Sequence, residues 1–143
     1  MVKKLSDKLF KRIYSLVPRF CVEVIIKDKR GIVLIKRDIK PCKGMWHFPG
    51  STVLFGENTL ECAKRIAKEE TGLDIKIVKF LWFYEYSKEV SFGQGLGIGY
   101  LAYPIKGKLK GNKYGKDVRF FKKLPKNLIK EQKDLFYKYV KMN

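Results

Sequence analysis

Residues 50–77 read GSTVLFGENTLECAKRIAKEETGLDIKI, and this stretch contains signals for both ends of a helix. Asn58 is followed three residues later by Glu61, which is the pattern of a capping box at a helix N-terminus. Gly72 is typical of the position just past a helix C-terminus. The stretch therefore predicts a helix over residues 59–71.

Two adjacent acids, Glu69 and Glu70, lie near the end of this helix. Positions 66, 69 and 70 share one helix face, but the residue at the first of them is Ile66. The two acids, about 100° apart on the helix, are candidate oxygen ligands for Mg²⁺ together with the backbone carbonyl of Gly50. The alternative for an acid pair is solvated surface.

The segments around this helix alternate between the two kinds of secondary structure. The sequence predicts helices over 6–17 and within 126–140, strands over 20–27, 32–37, 45–48, 74–87, 98–105 and 117–121, and a flexible glycine loop over 91–97. No repeat or interdomain linker interrupts them. This order predicts an α+β fold in which a mixed sheet packs against helices.

The composition fits one domain spanning residues 1–143, because 45% of the residues are hydrophobic. No apolar run approaches the roughly 18 residues of a membrane helix, and the first residues, MVKKLSDKLFKR, do not resemble a secretory signal. The cysteines, Cys21, Cys42 and Cys62, are odd in number and widely spaced, which favours reduced thiols. We therefore expect a cytoplasmic protein with no membrane partner.

The net charge of +18 is spread along the whole chain. One interpretation is a solvated surface whose field attracts an anionic small molecule. The other is a nucleic-acid partner. The sequence lacks the aromatic and basic pattern of an RNA-recognition sheet, so we favour the first interpretation.

Residues 51–73 resemble the Nudix box, Gx5Ex7REUxEExGU, in which U is a bulky apolar residue. The matching positions are Glu57, Arg65, Ala67, Glu69, Glu70, Gly72 and Leu73. Ser51 replaces the first glycine, and Ile66 replaces the glutamate after the arginine. The resemblance implies a Nudix hydrolase, a mixed sheet sandwiched between helices (α/β/α), and Mg²⁺ or Mn²⁺ as the cofactor. It also implies that Arg65 pairs with Glu57 to brace the loop onto the helix that Gly72 ends.

Residues 23–51, EVIIKDKRGIVLIKRDIKPCKGMWHFPGS, resemble the GDP-mannose mannosyl hydrolase branch of this family, in which an apolar residue also occupies position 66. The shared framework is Arg37, Pro41, Gly44 and Trp46, with Glu23 on an acidic position of that branch. The branch implies attack of water on the sugar carbon. It also implies a catalytic Arg37 near the phosphates.

One part of that branch is missing here. Its Gln-His pair, a metal ligand and general base, is replaced by Tyr114 and Gly115, and we interpret His47, the only histidine, as structural. The candidates that remain for the general base are Glu69, Glu57 and Glu89. Gln94 is a candidate for the missing ligand, and Trp46, Trp82, Phe83 and Tyr84 are candidates for stacking on a base or sugar.

Three functions stay open. The first is hydrolysis of a nucleotide sugar, with a small-molecule nucleotide substrate and the homodimer that is common in the family. The second is cleavage of the diphosphate, as in nucleotide-sugar or ADP-ribose pyrophosphatases, which the retention of both Glu69 and Glu70 favours. The third is a Nudix domain without catalysis that binds RNA or a protein, which Ile66, Ser51 and the net charge of +18 suggest.

Overall fold

The computed structural model describes residues 3–87 and 92–141. Its strands are β1 (Arg19–Asp28), β2 (Gly31–Lys36), β3 (Trp46–His47), β4 (Gly50–Thr52), β5 (Leu73–Tyr86), β6 (Gly95–Gly107) and β7 (Val118–Phe121). Its helices are α1 (Asp7–Tyr14), α2 (Thr59–Thr71) and α3 (Lys133–Val140), the last preceded by a short 3₁₀ helix, Lys130–Gln132. Among the described residues, no helix has the length and apolar character needed to cross a membrane.

The strands form a mixed sheet in the order β3-β2-β1-β6-β5, with β4 added beside β1 and β7 beside β2. β1 and β6 run parallel, and the other pairs are antiparallel. β1 changes its neighbour along its length, since residues 21–23 pair with β4 and residues 27–28 pair with β2. Glu23 therefore lies where the ladder with β4 ends.

Helices cover both faces of the sheet because side chains of a strand alternate between its faces. On one face, α2 packs Cys62, Ala63, Ile66 and Ala67 against a cluster that includes Val22, Val24 and Ile26 of β1. On the other face, α3 packs Phe136 and Tyr139 against a cluster that includes Ile25, Ile32 and Leu34. The expected α+β architecture, a mixed sheet sandwiched between helices, is confirmed.

The predicted helix over 59–71 is confirmed together with its end signals. The Asn58 side chain accepts from the Glu61 N–H at 2.8 Å, and a Glu61 oxygen accepts from the Asn58 N–H at 2.9 Å. Gly72 has φ 78°, and a Cβ there would lie 2.3 Å from the Lys108 carbonyl oxygen. Glycine is therefore required both by the backbone conformation and by the close approach of the loop after β6.

Several predicted boundaries were wrong. α1 ends at Tyr14 rather than near residue 17, the strand predicted over 45–48 is reduced to Trp46–His47, and α3 begins only at Lys133. Before α3, the chain pairs with β3 instead, since Trp46 N donates to the Asn127 carbonyl and Ile129 N to the Trp46 carbonyl. Backbone bonds to a distant strand thus replace the first turns of the predicted helix.

The predicted glycine loop over 91–97 was also partly wrong, because β6 begins at Gly95. Trp82 and Tyr84 of β5 pair with Gly99 and Gly97 of β6, and their rings lie over these glycines. A Cβ on Gly99 would lie 2.6 Å from the Trp82 ring, and one on Gly97 would lie 2.5 Å from the Tyr84 hydroxyl. The glycines therefore make room for aromatic rings rather than forming a flexible loop.

Candidate functional site

A cavity opens beside the end of the β1–β4 ladder. Its lining includes Arg19, Glu23, Arg37, His47, Gly50, Tyr84, Tyr86 and Gln132. The segment before β4 is held against β1, since Val24 N donates to the Pro49 carbonyl at 2.9 Å. Residues from four strands and from the 3₁₀ helix thus meet in one place.

Glu23 is the buried acid of this cavity, with 5% of its surface exposed. Its Oε2 accepts from the Tyr86 hydroxyl at 2.6 Å and from Gln132 Nε2 at 2.9 Å. Its Oε1 is also buried but has no hydrogen-bond partner within residues 3–87 and 92–141. Burial raises the pKa of Glu23 to about 8, despite the two hydrogen bonds, which lower it.

Gln132 ties the C-terminal segment to the cavity. Its Nε2 also donates to the Tyr86 hydroxyl at 2.9 Å, and its Oε1 accepts from Phe48 N at 2.7 Å. The amide is oriented by these bonds, because only its nitrogen can donate and only its oxygen can accept. Glu23 is therefore held by a hydrogen-bond network in which each donor and each acceptor is defined.

Glu70, at the end of α2, reaches the same place through Gly50. Its Oε1 accepts from Gly50 N at 3.1 Å, and burial raises the pKa of Glu70 to about 8. Gly50 pairs with Glu23 in the ladder, and a Cβ on Gly50 would lie 3.0 Å from Glu23 Cγ. Gly50 therefore lies between two carboxyl groups, and the charge of Glu70 contributes to the raised pKa of Glu23.

Glu69 points elsewhere. Its two oxygens form ion pairs with Lys4 Nζ at 2.8 Å and with Arg65 Nη1 at 3.2 Å, and 37% of its side chain is exposed. Two consecutive helical residues project in directions about 100° apart, which accounts for this separation. The structure brings Gly50 and Glu70 together, but it does not bring Glu69 to them.

Arg65 and Glu57 form a partly buried ion pair. Arg65 Nη2 lies 2.7 Å from Glu57 Oε1, its Nε donates to both carboxylate oxygens, and Nη2 also donates to the Thr52 carbonyl at 3.0 Å. Burial raises the pKa of Glu57, but hydrogen bonds from Arg65 and from Leu54 N outweigh this and hold it below its usual value. Glu57 is thus ionised and fully engaged, and the pair joins the loop after β4 to α2.

Two cations complete the cavity. Arg37 Nε donates to the Pro41 carbonyl, and burial lowers the pKa of the Arg37 guanidinium, with neighbouring Glu70 opposing this shift. Arg19 Nη1 donates to Thr52 Oγ1 at 3.1 Å. A guanidinium stays charged even when its pKa is lowered, so the cavity presents two positive groups to an anion.

His47 is neutral in this cavity. Burial, aided by the charge of Arg37, lowers the pKa of His47 to about 4. The Phe48 carbonyl lies 2.7 Å from Nδ1 and can only accept, so Nδ1 carries the proton and Nε2 is left as an acceptor. This backbone contact agrees with the structural interpretation of His47, although the side chain also lines the cavity.

Comparison with known proteins identifies the family of the chain. The NUDIX domain family model matches residues 17–122. The chain belongs to the Nudix family. The expected enzyme class, a Nudix hydrolase, is confirmed.

Two relatives extend the match along the sequence. The chain is 35% identical to an ADP-ribose pyrophosphatase of Methanocaldococcus jannaschii over 135 residues, which is 93% of this chain and 79% of the relative. It is 30% identical to the low-salt glycan biosynthesis protein Agl8 of Haloferax volcanii over 93 residues, which is 65% of this chain and 60% of the relative. The match thus spans less than two thirds of the second relative's length.

Solved structures agree on the fold. A MutT NUDIX hydrolase from Burkholderia pseudomallei superposes with a TM-score of 0.76 at 22% identity, over 86% of this chain and 98% of that chain. A UDP-X diphosphatase superposes with a TM-score of 0.70 at 20% identity, over 94% of this chain and 71% of that chain. At these identities the structures support the Nudix fold alone.

The aromatic residues predicted to stack on a base lie in different environments. Tyr84 lines the cavity, Trp46 is buried against Phe121, and the Trp82 ring stacks on Tyr139. Phe83 projects from the opposite face of β5 and is 58% exposed. Within the described residues, Tyr84 is therefore the member of this set that a ligand in the cavity can contact.

The other candidates from the sequence contribute nothing to the cavity in the described parts of the chain. Tyr114 is exposed, its carbonyl accepts from Asp38 N at 2.8 Å, and a Cβ on Gly115 would meet Ile35. Gln94 is exposed, and its carbonyl accepts from Arg19 N. Glu89 lies outside the described residues.

Sequence reasoning did not assign Glu23, Tyr86, Gln132 or Arg19 to the site. One signal was available for Glu23, which is a charged residue inside the otherwise apolar run FCVEVII. An acid at such a position is usually paired or bound to a metal, because burying an isolated charge is unfavourable. Tyr86 and Gln132 carry no comparable local signal.

The side chains of this Nudix site fit a divalent metal. Glu23 has an unpartnered buried oxygen, and Glu70 lies beside Gly50. Mg²⁺ is commonly held by one or two carboxylates, with water and substrate phosphates in the other positions. No group of three or more histidine, cysteine, aspartate or glutamate side chains converges for metal binding in the described ranges, so the fit is to this sparse type of site.

Proposed function

We propose that the protein hydrolyses the diphosphate of small molecules in which a nucleoside diphosphate is linked to a second moiety, with Mg²⁺ or Mn²⁺ as cofactor. One observation carries the proposal. The buried acid Glu23 and the half-buried acid Glu70 flank Gly50, and Glu23 and Gly50 line the cavity to which Arg19 and Arg37 contribute positive charge. Acids that hold a metal beside guanidinium groups suit a phosphate chain.

Glu70 and the Gly50 carbonyl would hold the metal, which supplies charge neutralisation for the phosphates when bound. Glu69 remains a proposed third ligand and a proposed base, but in either role it would first have to leave Lys4 and Arg65. Glu57 is a weaker candidate for the base, because both of its oxygens already accept hydrogen bonds. We propose that Glu57 instead has a structural role, in which it joins Arg65 and Gly72 in holding the loop after β4 and the helix α2 in place.

Arg37 is proposed to stabilise the negative charge of the leaving group. Its Nε is engaged by the Pro41 carbonyl, which fixes the plane of the guanidinium at the cavity wall. A planar cation held in this way can bind two phosphate oxygens at once. Tyr84 is the proposed contact for the base or sugar.

The relative named an ADP-ribose pyrophosphatase, which matches over 93% of this chain, supports ADP-ribose as a first substrate to test. Hydrolysis of a nucleotide sugar at the sugar carbon is the second candidate. It is favoured by Ile66 and by the residues 23–51 that resemble GDP-mannose mannosyl hydrolases. The homodimer and the cytoplasmic location stay predictions.

The two reactions can be distinguished by their products. The protein is incubated with ADP-ribose, GDP-mannose or nucleoside triphosphates and Mg²⁺ in H₂¹⁸O, and the products are identified by mass spectrometry. We expect a nucleoside monophosphate and a sugar phosphate, with ¹⁸O in a phosphate. GDP with ¹⁸O in free mannose would instead establish cleavage at carbon.

Two variants connect the activity to the site. Glu70→Gln is expected to lower turnover at least about tenfold, by loss of a metal ligand. Glu85→Gln, an exposed acid of β5, is the matched control and is expected to have no effect. A folded wild-type protein that hydrolyses none of these compounds, but binds RNA with a steep salt dependence, would replace the proposal with RNA binding.

A further inference from the structure

The strongest unexplained feature of the molecule is the Oε1 atom of Glu23. The residue is 5% exposed and this oxygen is buried, yet the oxygen has no hydrogen-bond partner in residues 3–87 and 92–141. Leaving a buried acceptor unsatisfied costs about 1–3 kcal/mol, and more for a charged group. A ligand that binds this oxygen would remove the cost.

The surroundings of Glu23 place its two oxygens in different environments. Tyr86 and Gln132 both bond the other oxygen, Oε2, so the carboxyl group cannot rotate to exchange its two atoms without losing both bonds. Gln132 is itself held by Phe48 N at 2.7 Å. The network therefore gives one oxygen two hydrogen bonds and leaves the other, in a residue that lines the cavity, without a partner in the described parts of the chain.

The helix α2 brings a single carboxyl group to Gly50. Ile66 replaces the acid of the Nudix box, and its side chain is fully buried in the core between α2 and the sheet. Only Glu70 reaches Gly50 from that helix, because Glu69 is paired with Lys4 and Arg65. Glu23 lies on the other side of Gly50, within reach of the charge of Glu70.

We infer that Glu23, through Oε1, is a ligand of the divalent cation and supplies from β1 a second carboxylate beside Glu70. The inference rests on the proposed function, since it names a ligand of the metal proposed there. Tyr86 and Gln132 are then positioning residues, which orient the ligand oxygen without contacting the metal.

Metal binding itself tests the inference, without substrate. Mn²⁺ is titrated into the apo protein at about pH 8, and free Mn²⁺ is followed by electron paramagnetic resonance. The variant Glu23→Gln preserves the size of the side chain and an oxygen that can accept from Tyr86 and Gln132. It is expected to raise the Kd for Mn²⁺ at least about tenfold, while the control Glu85→Gln leaves the Kd unchanged.

A variant of a positioning residue and controls for folding complete the experiment. Tyr86→Phe removes one of the two bonds to Oε2 and is expected to raise the Kd by less than Glu23→Gln does. Circular dichroism and thermal melts in chelator establish that each variant is folded. Should the glutamine variant not fold, Glu23→Asp keeps the charge but shortens the reach, and it is expected to raise the Kd as well.

The outcomes separate the inference from the proposed function. A Kd for Glu23→Gln within twofold of wild type overturns the inference, and hydrolysis by the wild-type protein would still support the function. A weakened Kd in a protein that hydrolyses no nucleotide supports Glu23 as a metal ligand and overturns the proposed function. A wild-type protein that binds no Mn²⁺ overturns both.

Discussion

At the scale of the residue, Ile66 departs from the Nudix box, and the packing of its side chain explains the departure. Its side chain is fully buried and contacts the core that α2 forms with β1, including Val22 and Val24. Fully burying an isoleucine contributes about 1.5–3 kcal/mol. The residue is therefore part of the hydrophobic core, and an acid in its place would not simply restore a metal site.

We predict that Ile66→Glu destabilises the protein instead of increasing its activity. The carboxyl group would enter an apolar cluster without a cation or donor, which costs at least about 3 kcal/mol. Ile66→Val is the matched control and is expected to cost about 0.5–1.5 kcal/mol. Urea denaturation measures both, and a Glu variant as stable as the Val variant would show that position 66 faces the cavity.

At the scale of the element, α2 and β6 differ in how far they could be predicted. The ends of α2 are encoded locally by Asn58, Glu61 and Gly72, so its bounds followed from the sequence. Gly95 and Gly97 suggested a loop because glycine weakens a strand and favours turns. The strand at Gly97 depends on the Tyr84 ring of β5, which lies over this glycine from the neighbouring strand, and no local pattern reveals that pairing.

The fit of glycines to rings can be tested at Gly99. A Cβ at this position would lie 2.6 Å from atoms of the Trp82 ring, and the three nearest atoms all belong to that ring. We predict that Gly99→Ala lowers the free energy of unfolding by about 1–3 kcal/mol, as overpacking does. In a Trp82→Ala background the same substitution is expected to cost less than about 0.5 kcal/mol, because the clash is gone. If Gly99→Ala lowered the free energy of unfolding equally in the wild-type and Trp82→Ala proteins, the effect would come from the backbone and not from the ring.

At the scale of the whole molecule, the cavity is assembled from distant parts of the chain. Gly50 and Glu70 could be predicted, because Gly50 directly precedes the motif that contains Glu70. Glu23 is 63 positions from Tyr86 and 109 positions from Gln132, so the network that orients it depends on the complete fold. The same assembly brings two acids with raised pKa values into a protein with a net charge of +18.

This pair of acids makes the stability of the apo protein fall as the pH rises, and metal binding opposes this fall. Burial raises the pKa of Glu23 and of Glu70 from 4.5 to about 8, so the folded protein binds these protons more tightly than the unfolded chain does. Stability is therefore lost as the pH rises from about 4.5 to about 8. His47 acts in the opposite direction only below its unfolded pKa of 6.5, because its folded pKa is about 4.

We predict that, in chelator, the Tm falls between about pH 6.5 and pH 8.5, where the two acids titrate and His47 does not. A divalent cation binds the ionised carboxylates, so Mn²⁺ should raise the Tm more at the upper pH than at the lower one. Differential scanning calorimetry of the wild type and of Glu23→Gln/Glu70→Gln measures both effects. The double variant should lose most of the slope and of the response to Mn²⁺. An unchanged slope in that variant would mean that neither acid is protonated in the folded apo protein near neutral pH.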